Sequence, residues 1–156
     1  MSPSGSPDHI RAIDIRLQGL AQMQSRSMYG NLLQSRGSTA ALANGTKELI
    51  SVSGVGVVYG GYIFLDAAAS QKTDQPGFSA DGGLQTFQDT FQNLFSMGHN
   101  NANNGLVQLS IYDDDNYVYG VLFNGPITFE NAFILVYSEA NGNTPTVKYC
   151  LMYATI

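Results

Sequence analysis

Two histidines, one cysteine and a run of three aspartates are the residues of this chain whose types invite chemistry. A Ser-His-Asp site needs a histidine held on a rigid scaffold and a nucleophile on a strained turn. His9 stands at the start of a predicted helix beside a polar tail, and His99 lies in the loop Gly98-His99-Asn100-Asn101. The chain has no Gly-x-Ser-x-Gly elbow. Cys150 sits in an apolar run, where a cysteine behaves as a small buried hydrophobe. As the only cysteine, it excludes an intrachain disulfide. Nucleophilic catalysis is therefore not expected.

Asp113-Asp114-Asp115-Asn116 is the densest group of oxygen ligands. Hard cations need several oxygens converging from one side, whereas consecutive residues at a hairpin tip splay. The run also departs from the D-x-[DN]-x-[DN]-G calcium loop, with Tyr117 where the third ligand belongs. It reads as a turn, since Asp and Asn are turn formers. Gly54-Val55-Gly56-Val57-Val58-Tyr59-Gly60-Gly61 fails the dinucleotide spacing at Tyr59 and has no P-loop lysine. Its glycines mark a bulge or a close backbone approach in a strand. Asp66, Asp74, Asp81, Asp89, Glu130 and Glu139 cannot be paired into a glycosidase dyad from spacing alone. Rows of tyrosine, nine in all, can stack on sugars or pack across strands and subunits. No enzyme activity, cofactor or metal is expected.

The elements that carry these residues change type along the chain. Ser6-Pro7-Asp8 reads as a helix start, with a capping hydroxyl, Pro in the first turn and an acid facing the dipole. Ile10, Ile13, Leu17 and Leu20 follow on one stripe. A helix over about 7–34 is predicted, then a small-residue linker or extended arm over 35–46. From Lys47 the period becomes that of strands, predicted at Lys47–Ser53, Val55–Leu65, Leu106–Tyr112, Tyr117–Phe123, Ala132–Ser138 and Thr146–Thr155. Shorter strands are predicted near Gly77–Ala80 and Ile127–Phe129. Turns are predicted at Asn104-Gly105, Asp113–Asn116, Asn124-Gly125-Pro126 and Asn141-Gly142-Asn143. Phe87, Phe91, Leu94 and Phe95 predict a short helix over 84–97. The sum is an all-β fold. It is a jelly-roll-like antiparallel β-sandwich over 47–156 with an N-terminal helical or extended arm over 1–46 and one short inserted helix.

Charged residues make up 12% of the chain, about half the ~25% usual for soluble domains. Residues 1–47 hold five cations against two carboxylates, a net of +3, and residues 48–156 hold two lysines against ten carboxylates, a net of −8. A basic arm on an acidic body suits docking on another protein. The sparse arginines and the acidic body argue against nucleic acid. Met1–Pro7 lacks the features of a signal peptide, and no apolar run reaches the ~18–20 residues of a membrane span. A soluble, cytoplasmically made protein is expected.

Several strands are apolar on both faces. In Ala132–Tyr137, Ala132, Ile134 and Val136 oppose Phe133, Leu135 and Tyr137. In the last strand, Tyr149, Leu151 and Tyr153 oppose Cys150, Met152, Ala154 and Ile156. Surplus apolar faces point to self-association, the alternative being that the N-terminal helix of the same chain covers part of the second face. The expected contacts are Ile10, Ile13, Leu17 and Leu20 on the helix, and Phe133, Leu135, Tyr137, Tyr149, Leu151, Tyr153 and Ile156 on the strands.

Leu49–Tyr62 (LISVSGVGVVYGGY) and Gly125–Tyr137 (GPITFENAFILVY), behind a basic arm, resemble capsid decoration (cement) proteins of tailed phages. The resemblance implies a homotrimeric jelly roll on the capsid surface, made in the host cytoplasm, that binds the major capsid protein and stabilises neighbouring subunits. It makes Arg11, Arg16, Arg26 and Arg36 candidates for capsid contact. The alternative is a receptor- or glycan-binding head of a phage fibre or tail, with loops around 66–83 and 98–104 as its recognition surface.

Overall fold

The chain alternates between two sheets as it runs. The strands are β1 (Leu33–Ala40), β2 (Thr46–Ser53), β3 (Gly56–Asp66), β4 (Gln75–Ala80), β5 (Gln85–Gln88), β6 (Val107–Asp113), β7 (Val118–Phe129), β8 (Ala132–Ser138) and β9 (Thr146–Thr155). Helix α1 (Phe91–Ser96) lies between β5 and β6. This computed structural model describes residues 11, 15, 31–83, 85–100 and 105–156. One sheet has five strands in the order β1-β9-β3-β7-β6, and the other has four in the order β2-β8-β4-β5. All pairings are antiparallel. Only β4–β5 and β6–β7 are consecutive neighbours in one sheet, and every other connection crosses to the opposite sheet. The expected all-β sandwich is what forms.

The core lies between the sheets and is strongly aromatic. Phe78 stacks on Phe133 at 5.3 Å and meets Phe123 of the other sheet edge-on at 5.7 Å. Ile63, Leu65, Tyr119, Val121, Leu135, Tyr137, Val147 and Leu151 are fully buried around them. Each large apolar side chain sealed this way contributes about 1.5–3 kcal/mol. Strand parity produces the core directly, because alternate residues of a strand point to opposite faces.

Three local expectations are corrected. Residues 35–46 were expected as a linker or arm, but β1 is an edge strand that pairs with β9 along its full length, from Leu33↔Tyr153 to Ala40↔Thr146. The sandwich therefore starts at Leu33 rather than Lys47. The segment is small and polar because it joins through its backbone, and Gly37 leaves room for Tyr149, whose Oη would lie 2.6 Å from an added Cβ.

The helix expected over 84–97 is confined to Phe91–Ser96. Thr90 caps it by accepting from Asn93 N at 3.0 Å, which stops it extending backwards. Phe87 belongs to β5, opposite Phe78.

Asn124-Gly125-Pro126 is not a turn but the middle of β7, with a cis Gly125–Pro126 peptide. It lies where β3 bulges between Val58 and Gly60. A Cβ on Gly125 would run into Val58 O and the Tyr59 backbone, so glycine is required there.

Candidate interaction surface

The two sheets have chemically different outer faces. On β3, Ile63 and Leu65 enter the core, so their neighbours Tyr62 and Phe64 point outward. Register brings Tyr62 beside Cys150 and Leu122, Phe64 beside Lys148 and Gly120, and Gly60 beside Met152 and Asn124. Ile111 on β6 adds to this face opposite Gly120. Tyr62 remains 39% exposed and Met152 41% exposed. A groove of about 290 Å³ runs among Tyr59, Tyr62, Leu122, Asn124, Cys150 and Met152. The Lys148 ammonium stands 5.8 Å over the Phe64 ring, a cation–π distance. The outward positions of the four-stranded sheet are mostly Ser, Thr, Gln and Gly: Thr46, Ser51, Ser53, Gln75, Gly77, Ser79, Thr86 and Gln88 surround Ile134 and Val136. The apolar excess therefore collects on the outside of the five-stranded sheet.

The interface residues expected from sequence divide accordingly. Phe133, Leu135, Tyr137 and Leu151 are fully buried in the core of a single copy, so they are not contact residues. Tyr149 and Tyr153 are partly buried and pack against the same core. The strands are apolar on both faces, and it is the other parity, with Met152 and Cys150 on β9, that faces out. Ile156 is 80% exposed. Arg36 is exposed on β1, in register with Cys150 on the apolar outer face. Arg11 is exposed. Ile10, Ile13, Leu17, Leu20, Arg16 and Arg26 lie outside the described residues.

One end of the sandwich is fastened by buried carboxylates. Asp74 is fully buried, and its Oδ2 accepts from the Tyr137 hydroxyl at 2.5 Å. Its Oδ1 accepts from Ala140 N at 3.0 Å and Asn141 Nδ2 at 2.8 Å. Burial pushes the Asp74 carboxyl upward, and these donors oppose the shift. Burial, followed by the charge of Asp74, pushes the Tyr137 hydroxyl far up, so it stays a donor.

Glu139 is 3% exposed and gathers four backbone N–H groups: Asn141 and Asn143 on Oε1, and Asn44 and Gly142 on Oε2, at 2.7–3.0 Å. Burial alone would raise the Glu139 carboxyl, but those four donors outweigh it and hold it below its usual value. The pair ties the β1–β2, β3–β4 and β8–β9 loops together. Sequence reasoning placed neither residue. Their only signal was an acid next to a strand end, which many solvated acids share.

The aspartate run splays. Asp113 caps its own turn, accepting from Asp115 N at 3.2 Å and Asn116 N at 3.0 Å. Asp114 turns the other way and accepts from the Ser70 and Tyr119 hydroxyls, both at 2.5 Å, and from Lys72 at 3.0 Å. Those donors, Ser70 first, hold Asp114 at about 2. Burial, and then the Asp114 bond, pushes Tyr119 up to about 12. Among the described residues no group of three or more His, Cys, Asp or Glu is placed to hold a metal ion. His99 Nδ1 lies 3.0 Å from Val107 O, and its backbone bonds Leu94 O and Leu109 N, so it docks α1 against β6. Among the described residues no helix is long and apolar enough to cross a membrane.

No family model and no curated protein matches the sequence. Among solved structures, the chain is similar to a serine protease of Aeromonas sobria, with a TM-score of 0.40 and 7% identity over 84% of this chain. It spans 29% of that protein's length.

Proposed function

We propose that this chain is a structural, non-catalytic virion subunit. In this reading it forms a homotrimer through the outer faces of its five-stranded sheets and decorates the outside of a capsid shell. The observation that carries the reading is the exposed apolar face centred on Tyr62, Leu122 and Met152. Large exposed apolar patches mark interfaces. Tyr and Met are enriched at the centres of such interfaces.

Two further observations support it. With β6 set aside as an added edge strand, the orders β1-β9-β3-β7 and β2-β8-β4-β5 match two interlocked Greek keys, a jelly roll. The buried carboxylates Asp74 and Glu139 are occupied by donors that fasten loops. Arg11, Arg16, Arg26 and Arg36 remain the candidates for contact with an acidic capsid protein. Three linked copies raise avidity without tight single sites. Light scattering on the purified chain tests the reading: a trimer at micromolar concentration is expected, and a monomer overturns it.

The second reading, a glycan- or receptor-binding head, draws on a cleft of about 210 Å³ at the loop end. Ala68, Ala69, Gln71, Asn143, Thr144 and Pro145 line it. Binding on a glycan array that is lost on replacing 67–70 favours this reading over shell decoration.

A further inference from the structure

The chain enters β1 at the rim of the apolar outer face. Leu33, the first residue of β1, pairs with Tyr153, and Gln34 pairs with Met152. Gln34 is exposed, lines the groove of Tyr59, Tyr62, Leu122 and Met152, and donates to Cys150 Sγ at 3.3 Å. Leu32 and Leu33 are 62% and 45% exposed. The chain before Leu32 therefore reaches the body beside this groove. That preceding chain carries one apolar stripe, Ile10, Ile13, Leu17 and Leu20. On a helix the stripe is about 15 Å long. The groove has lining residues on β1, β9, β3 and β7, a width of about 14 Å at ordinary strand spacing. Arg11 and Ile15 are helical and exposed, and at about 100° per residue they fall on the side away from the stripe.

From this placement we infer that the groove is filled by residues 8–20 of a neighbouring copy, so that copies exchange their N-terminal segments across the outer faces of their five-stranded sheets. The inference rests on the self-association proposed above and names what fills the face. A helix laid in an apolar groove anchors through residues at i, i+3 and i+7, the spacing of Ile10, Ile13 and Leu17. Residues 21–32 join the stripe to β1 and can span up to ~40 Å. The middle of the chain's own groove lies only roughly 10 Å from β1 at ordinary strand spacing. The spare length is what a connection to a neighbour needs. Exchange of an identical element is a low-cost route to association, and it makes the docking of the segment and the joining of copies one event. Arg11, on the side away from the stripe, stays free for contact with a capsid.

Disulfide trapping in the full-length chain tests the inference. In a Cys150→Ala background, Leu17→Cys and Met152→Cys are made separately and together, with fold read by circular dichroism. Gln34→Cys, at the exposed rim of the same groove, replaces Met152→Cys if that variant does not fold. The two single variants are mixed in equal amounts, left to exchange copies and oxidised. A covalent dimer of one chain of each kind is expected, in several-fold excess over what either variant forms alone. A doubly substituted chain that closes on itself, with no mixed dimer, overturns exchange and returns the segment to its own face. No link of either kind overturns docking of the segment in this groove. Sedimentation of the unmodified chain separates the two readings: a monomer means that self-association fails, whereas an assembled chain without the mixed link sinks only the exchange.

Discussion

Tyr62 and Leu122 face each other in the β3–β7 register, and both point away from the core that their neighbours Ile63 and Val121 enter. That pairing means two adjacent strands each have an apolar residue to place on both sides of one sheet. The core takes one set, and the other remains at the surface. Replacing Tyr62 with Arg is expected to weaken self-association while leaving the fold intact. Central aromatic contacts of this kind are worth about 2 kcal/mol or more, or about 30-fold in affinity. Sedimentation velocity across a dilution series measures the shift, with the thermal unfolding of the variant as the control for fold.

Phe133→Ala is expected to do the reverse. Its ring is fully buried between Phe78 and Phe129, and truncating a buried Phe costs about 3–5 kcal/mol. Urea denaturation should show that loss in full. A near-neutral result would return Phe133 to the surface role expected from sequence.

Acid should loosen the fastened end. The Glu139 and Asp114 carboxyls are held below their ordinary values in the folded chain. Their contribution is present above the ordinary carboxyl range, near pH 4. It is lost as pH falls, for Asp114 through about 2. Asp74, raised by burial, works in the opposite sense and gives back a little stability as it protonates. Asp81 and Asp113 are also held below their ordinary values by backbone and side-chain donors, and four lowered groups against one raised group predict a net fall in denaturation midpoint between about pH 5 and pH 2. Asp114→Asn should flatten the acid slope. An identical slope would remove Asp114 from this account.

Truncation locates the domain boundary. Deleting residues 1–30 should keep a single cooperative unfolding transition. Deleting 1–46 removes β1 and bares the β9 edge along its whole length, and exposed edges invite aggregation. Comparing solubility and circular dichroism of the two truncations checks this. Equal behaviour would show that β1 is dispensable.

The sequence was informative where side chains decide the structure. Ala132–Ser138 and Thr146–Thr155 match β8 and β9 to the residue, because alternation and flanking turn residues define them. It was blind where backbone decides. Β1 pairs without an apolar pattern, and the Gly125–Pro126 segment looks like a turn yet lies flat against the β3 bulge. It also could not say which face of β8 or β9 is inside, since both are apolar. The parity that placed Phe133 and Leu151 at an interface was the core parity, and the outward residues Tyr62, Leu122 and Met152 lie on the other. Asp74 and Glu139 became legible only once folding brought residues 44, 137 and 139–143 to one place.

Hydroxyl-radical footprinting of the assembled chain tests the central claim most directly, because two methionines serve as probe and reference. Met152 lies on the outer face of the five-stranded sheet and Met97 follows α1, and in a single copy they are 41% and 58% exposed. If copies meet through the five-stranded sheet, Met152 should oxidise at least several-fold more slowly than Met97, and dilution to monomer should bring the two rates together. Met152 oxidising as fast as Met97 in the concentrated chain, with no dependence on dilution, would contradict the account.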